Sequence, residues 1–207
     1  MKASPPDGVR PALQQRSRAT RDRLLAAGKR LLEETDLDGV SIADIAAAAD
    51  CSVGAVYTRF ENKDAYFRAL VTDMLAQERS ALDALHDSVV DANLIEAIVA
   101  NAVGSFRRNA GLLRSALRKG MEDPSYWEPI RRHGQVAADL VVGRLSKMAR
   151  QPLGPEEESR TRFAFQVLYG TLVNALLHQP LPLLLENERL ENELSRVFRL
   201  TIGPGRD

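Results

Sequence analysis

Side chains able to move a proton or attack a carbonyl are few in this chain and stand far apart. The three histidines, His86, His133 and His178, share no motif, and Cys51 is the one cysteine. No H-E-x-x-H, paired-cysteine, G-x-S-x-G or glycine-rich phosphate-loop spacing occurs. The acidic run Glu156-Glu157-Glu158 stands at an expected helix start, where the helix dipole accounts for it. A helical hydrolase with a triad assembled from distant residues is left without a motif, so no catalytic, cofactor or metal-binding residue is assigned. A different chemistry is legible between Ser41 and Lys63, SIADIAAAADCSVGAVYTRFENK. Within its second half Arg59 is the strong hydrogen-bond donor. A guanidinium can straddle guanine O6 and N7 in a major groove, and a phosphate contact or a solvated charge are the other uses open to it.

The elements that must position such residues follow from the same stretch. Ser41 can cap a helix, and Asp44 stands where a carboxylate closes a capping box. Val40 and Ile45 fall at the two positions of a hydrophobic staple. The alanines that follow favour helix and let another helix cross closely. Asp50-Cys51 breaks the run, Ser52 is a second cap, and Val53 to Phe60 makes about two turns with Val56 and Phe60 on one face. Two short capped helices around a tight turn make a helix-turn-helix unit, whose second helix enters the major groove of DNA.

Ser41-Ile42-x-Asp44-Ile45-Ala46, followed by Ser52-x-Gly54-x-Val56-Tyr57-x-x-Phe60-x-Asn62-Lys63-x-Ala65, resembles the N-terminal domain of the tetracycline-repressor (TetR) family. The likeness is specific from about Thr20 to Leu70 and continues beyond only as length and helical pattern. Three positions depart from the family pattern. Asp50 replaces a glycine in the turn, and Asp tolerates the left-handed conformation better than most residues. Cys51 replaces a valine, and Arg59 replaces a histidine or another ring, which implies a different operator. The resemblance places Val53, Gly54, Ala55, Tyr57, Thr58 and Arg59 at the DNA-contact positions. Val53 and Ala55 are suited to thymine methyls, and Gly54 to close backbone approach. Tyr57 and Lys63 are expected on phosphates, with Ser41 and Ser52 offering hydroxyls and N–H groups at helix starts.

Charge distribution qualifies this reading. Lys+Arg and Asp+Glu balance at 28 each over 207 residues, which by itself argues against a nucleic-acid partner. Up to residue 30, however, eight bases face two acids, whereas residues 31–58 carry acids and no base. Phosphate attraction must therefore come from the N-terminal arm, with Arg18 and Arg21 at the start of the first helix, and from Arg59 and Lys63. The acidic stretch keeps one alternative open, a helical adaptor whose head does not bind DNA specifically. One cysteine excludes an internal disulfide and fits a reducing compartment. No run approaches the roughly 18 apolar residues of a membrane span, and no signal peptide follows the first lysine, so a cytoplasmic protein without a membrane partner is expected.

The rest of the chain reads as all-α, with an N-terminal three-helix DNA-binding domain on a larger helical ligand-binding and dimerisation domain. Residues 1–16 form an expected flexible basic tail, 17–77 the DNA-binding domain and 78–207 the regulatory domain. Helices are expected at Arg16–Glu34, from Lys63 to about His86, and at Leu94–Arg108, Leu112–Met121, Pro129–Arg150, Glu156–His178 and Glu188–Ile202. Gly28 permits close approach of a neighbouring helix. Phe163, Val167, Leu168, Thr171, Leu172, Ala175 and Leu176, then Leu190, Leu194, Val197 and Phe198, supply more apolar surface than one small body needs, and such a surplus marks a partner surface. The resemblance implies that these last two helices form a four-helix bundle with a second copy, making a homodimer on a palindromic operator. It also implies a ligand-sensing body, and repression relieved by an effector. Phe106, Leu113, Leu117, Met121, Tyr126, Trp127, Arg131, Tyr169 and His178 are the expected ring of a pocket for a small apolar or aromatic effector.

Overall fold

A computed structural model describes residues 11–178 and 184–203, and the expected tail over residues 1–10 lies outside them. The described residues are helical and contain no strand. They form two compact units that divide between Asp73 and Met74.

The first unit holds α1 (Pro11–Glu34), a 3-10 turn at Leu37–Gly39, α2 (Ile42–Ala48), α3 (Val53–Tyr57) and the start of α4 (Lys63–Ser88). Its helix ends are set by short-range chemistry. At the start of α2, Ser41 Oγ accepts from the Asp44 N–H at 3.1 Å, and the Ser41 N–H donates to Asp44 Oδ2 at 2.8 Å, closing the capping box. Val40 and Ile45, the staple pair, are both buried. At its other end the Cys51 N–H donates to the Ala46 carbonyl and the Asp50 N–H to that of Ala47. This is the Schellman pattern, and it requires the left-handed φ of 49° that Asp50 adopts.

Apolar faces then assemble the head. Leu24, Leu25 and Leu32 of α1 are buried together with Ile45, Val56, Phe60, Phe67 and Leu70. Each such side chain contributes roughly 1.5–3 kcal/mol by leaving water. Tyr66 sits among them, 1% exposed. Its hydroxyl donates to the Leu24 carbonyl at 2.6 Å, and its ring meets Phe60 edge-on at 5.1 Å. Gly28 makes the approach possible, because a Cβ there would lie 2.0 Å from the Tyr66 hydroxyl. Arg30 further ties α1 to α2 by donating to the Ala48 carbonyl at 2.9 Å.

The second unit holds the rest of α4, then α5 (Leu94–Arg108), α6 (Ala110–Glu122), a 3-10 turn at Pro124–Tyr126, α7 (Glu128–Met148), α8 (Pro155–His178) and α9 (Leu190–Ile202). α8 packs along α7, α9 and α5, and α9 also lies on α5. Arg199 bridges α9 to Glu96 of α5 at 2.7–2.8 Å. Arg107 holds the approach to α9, donating to the carbonyls of Leu185 and Asn187 and to the Glu191 carboxylate.

Several boundaries differ from expectation by a residue or more, and three of them bear on the head and the body's joints. α1 begins at Pro11 rather than Arg16, so residues 11–16 are helix and not flexible tail. Ala, Leu and Gln in this stretch favour helix. α3 ends at Tyr57 rather than Phe60, because Phe60 leaves the helix against Tyr66 while Asn62 caps α4 by accepting from the Ala65 N–H at 2.8 Å. The turn expected at Asn109-Ala110-Gly111 shrinks to Asn109 alone, whose amide donates to Glu78 and to the Ser105 carbonyl.

Gly28→Ala is expected to destabilise the protein by about 1–3 kcal/mol through overpacking, and Tyr66→Phe by about 0.5–1.5 kcal/mol. Because the added methyl and the hydroxyl compete for one space, the double variant is expected to lose at least ~1 kcal/mol less than the two losses combined. Urea titration of the four proteins measures this, and simple additivity refutes the steric coupling.

Candidate functional site

Helix α3 presents a face rather than a cluster. Val56 is fully buried and Phe60 is 7% exposed, and these two fix the helix to the head. By contrast Val53 is 42% and Tyr57 53% exposed, an apolar pair one helical turn apart. Gly54 and Thr58 are exposed beside them, and Ala55 is half-buried. The expected contact residues thus lie on one short helix and the two residues after it, with Ser52 at its start, where its hydroxyl accepts from the Ala55 N–H at 3.1 Å.

The polar side chains of this face are turned inward on their own backbone. Thr58 Oγ1 donates to the Gly54 carbonyl at 2.8 Å, and Arg59 Nη1 to that of Ala55 at 3.0 Å. Arg59 is half-buried, and its Nε is buried without a partner. Both residues satisfy carbonyls at the C-terminal end of α3. To meet a base edge, Arg59 must swing away from Ala55; that breaks one hydrogen bond and also returns a stranded N–H to solvent. Ser41 is likewise committed, since its hydroxyl donates to Asp44 Oδ2 at 2.6 Å while accepting from the Asp44 N–H. Those bonds hold the Asp44 carboxyl below its ordinary value, so a negative charge stands at that helix start. Lys63 reaches the Asp38 carbonyl at 3.4 Å. Arg18 and Arg21 are exposed on α1, and Arg21 stands 3.9 Å from Asp22.

The second unit encloses a cavity of about 610 Å³ bounded by α4 to α8. Five of the nine expected residues line it: Phe106, Leu113, Trp127, Arg131 and Tyr169. Four do not. Met121 is 88% exposed, His178 is exposed at the end of α8, Tyr126 is buried in its 3-10 turn, and Leu117 is only half-buried on α6. Leu117 and Met121 follow the lining Leu113 along α6 by one and two turns, past the part of that helix that borders the cavity. Phe106 and Phe165 flank the Tyr169 ring at 6.3 and 6.1 Å, each inclined 30° to it. Burial pushes the Tyr169 hydroxyl up to about 12, with the Glu78 carboxylate adding to the shift.

Glu78 and His133 were not anticipated, although both line the cavity. Glu78 is 5% exposed and accepts from Arg108 at 3.2 Å and Asn109 at 3.1 Å. It continues the four-residue register of Leu70, Met74 and Leu82, and an acid on an apolar stripe is the signal that would have found it. His133 and Gly134 stand one turn before the buried Ala137 and Ala138. Burial lowers the His133 pKa below its ordinary value.

The expected dimer residues divide. Leu168, Leu172, Ala175, Leu176, Leu190, Leu194 and Phe198 are buried within the single chain, where α8 and α9 pack on each other and on the body. They are core and not free surface, because an amphipathic helix must first cover its own body. Phe163, 54% exposed, with the half-buried Val167, Thr171 and Val197, remains at the surface.

A capped helix-turn-helix with an outward apolar reading face, joined in one chain to a helical body with a cavity, defines the class: a DNA-binding transcriptional regulator. The family model described as "Bacterial regulatory proteins, tetR family" matches residues 24–70, so the head of this chain is similar to that family. Among solved structures, Salmonella enterica GusR is similar in fold, with a TM-score of 0.65 at 19% identity over 88% of this chain and 95% of that one. A transcriptional regulator from Rhodococcus sp. Rha1 gives 0.65 at 20% identity over 88% and 93%. A TetR-family regulator from Mesorhizobium loti gives 0.63 at 16% identity over 90% and 95%. No curated protein matches the chain.

Since the Asp44 carboxyl is held below its unfolded value, the stability it contributes is present above that value and lost as pH falls through the folded one. Ser41→Ala is therefore expected to lower the melting temperature at neutral pH, by a margin that shrinks on acidification. A margin independent of pH from 7 to about 3, followed by thermal melts monitored by circular dichroism, refutes the reciprocal cap.

Proposed function

We propose that the chain is a repressor that binds a palindromic operator as a homodimer and is released by a small effector. The outward pair Val53 and Tyr57 on a helix anchored by Val56 and Phe60 is the observation that carries the reading. That face supplies apolar contact to thymine methyls, with Gly54 admitting the duplex backbone and Arg59 swung outward onto a guanine. Arg18, Arg21, Tyr57, Lys63 and the start of α3 at Ser52 hold phosphates. Ser41 holds its helix rather than DNA, because its hydroxyl is already engaged and Asp44 repels phosphate there. Half-sites lie near one duplex turn apart, about 34–36 Å, or a multiple of it.

The dimer surface is the outer stripe of α8 and α9: Phe163, Val167, Thr171, Leu177, Val197 and Leu200. Leu200 is 69% and Leu177 38% exposed, so with Phe163 three large apolar side chains face water on these helices. Gly170 of α8 lines the cavity, and a Cβ there would meet nothing within 4 Å. A two-fold partner brings the stripe against its copy and covers it. No described helix is long and apolar enough to cross a membrane, and action on DNA places the protein in the cytoplasm.

Selection of duplexes from a random pool by the purified protein is expected to return an inverted repeat. Against that repeat, Arg59→Ala is expected to cost about 1–3 kcal/mol and relax one base position, leaving affinity for random DNA unchanged. Lys63→Ala is expected to weaken both alike and reduce the salt slope by about one. Equal losses on operator and random DNA for Arg59→Ala assign that residue to helix capping alone, and a pool that returns no motif overturns the operator reading.

Phe163→Glu buries a charge at the proposed interface while touching no core of its own chain, so it is expected to convert the dimer to a folded monomer. Sedimentation velocity distinguishes the two. A variant that stays dimeric, or a parent protein that is monomeric, overturns the α8–α9 interface.

A further inference from the structure

The cavity of the second unit carries an inference about what it admits, and this rests on reading that unit as an effector domain. We propose that the cavity takes planar aromatic molecules that are uncharged and carry a hydrogen-bonding group, and that it discriminates against aromatic anions and cations of the same size. The volume, about 610 Å³, lies within the range of small-molecule sites. Phe106, Tyr169 and Phe165 present three similarly inclined rings along one wall, which favours a flat partner through offset stacking.

Every lining charge already has its counter-charge within the chain. Arg131 is bidentate to Glu128, at 2.7 and 2.8 Å. Arg162 reaches Asp139 at 2.7 Å and Glu158 at 2.7 Å. Glu78 is held by Arg108 and Asn109. An entering carboxylate finds no free cation and must displace a carboxylate to gain one; an entering ammonium must take Glu78 from its partners. Either ion gives up hydration for a site with no unmatched charge to offer. A neutral molecule meets no such loss. For it the cavity holds spare polar groups: the Tyr169 hydroxyl, the Trp127 indole and the His133 imidazole line the space, and no side-chain hydrogen bond engages them among the described residues. Gly134 leaves the Tyr169 ring its place, since a Cβ there would lie 3.0 Å from Cε2.

Trp127 is the single tryptophan of the chain and stands in the cavity wall, so its emission reports occupancy directly. The test titrates the full-length protein with naphthol, naphthoate and naphthylmethylammonium, which share one ring system and differ in charge, and repeats each titration by calorimetry. Saturable binding of naphthol is expected, with both ions weaker by about tenfold or more, the equivalent of ~1.4 kcal/mol. Tyr169→Phe keeps the ring row, and is expected to bring naphthol down to the affinity of naphthalene while leaving naphthalene unchanged. Equal or tighter binding of either ion overturns the charge preference, and absence of saturable binding by any of the probes overturns the cavity assignment. A selected operator duplex added to the naphthol complex separates the two proposals. Naphthol that binds without releasing the duplex leaves the cavity chemistry standing and removes the effector role, whereas ion binding with duplex release does the reverse.

Discussion

The head depends on one phenol. Tyr66 is the side chain at which α1, α4 and the end of the reading segment meet: its hydroxyl is bound to the Leu24 carbonyl, its ring stands edge-on to Phe60, and Gly28 clears its path. Burial raises its pKa far above neutrality, so it enters as a neutral donor at every physiological pH. Phe60 follows α3 by three residues, so fixing its ring sets where the reading helix ends and which side of it faces outward. A contact to a base edge tolerates errors of only about half an ångström. Such tolerance cannot come from a five-residue helix, which has too few internal hydrogen bonds to be stable by itself. It comes from Val56 and Phe60, the two capping serines and the Tyr66 anchor.

The body balances different terms. Glu78 is a carboxylate at 5% exposure, an arrangement that costs more than an apolar side chain unless its lone pairs are filled. Arg108 and Asn109 fill them, and Asn109 also bonds the Ser105 carbonyl at the junction of α5 and α6. The same network thus closes a one-residue joint and keeps the cavity wall electrically quiet. The cavity beside it forgoes packing contacts, and such voids weaken a fold in proportion to their volume. A molecule that binds the folded chain alone recovers part of such a loss by mass action, so on the reading proposed above the body gains stability when occupied.

What the sequence made legible was what adjacent residues decide. Ser41 with Asp44, Ser52 and the left-handed Asp50 are short-range features that the structure contains as read, and Val56 and Phe60 are both buried, although Phe60 lies beyond the end of α3. Gly28 was also legible as a site of close approach, though not which ring would use it. Errors began where an outcome depends on distant faces. The stripe Leu168, Leu172, Ala175, Leu176 reads identically whether it covers its own body or a second copy, and only the position of α9 decides. Leu117, Met121, Tyr126 and His178 are of the right types for a pocket, but which stretch of each element borders the cavity is decided by packing between helices distant in sequence. Arg59 was legible as a guanidinium near the reading helix, while its fold back onto Ala55 follows from open carbonyls that composition does not reveal.

The electrostatics of the head constrain its mode of action further. Phosphate neutralisation supplies much of the affinity of any DNA-binding protein, and its strength scales with the number of contacts made. Residues 31–58 contribute acids and no base, and Asp44 keeps its charge at the start of α2. Among the described residues, the bases near the reading segment include those at the start of α1, Arg59 and Lys63, and on the proposed reading they meet the duplex alongside the Val53 and Tyr57 pair. Such a head binds weakly wherever it lands, which favours discrimination over adhesion. In the dimer proposed above, two heads in one molecule convert the second contact into an intramolecular event, raising avidity by about 10²–10⁴ when both half-sites are in reach. Affinity then appears only on a repeat of the right spacing, and any change that spoils the spacing removes it without altering a single contact at either head.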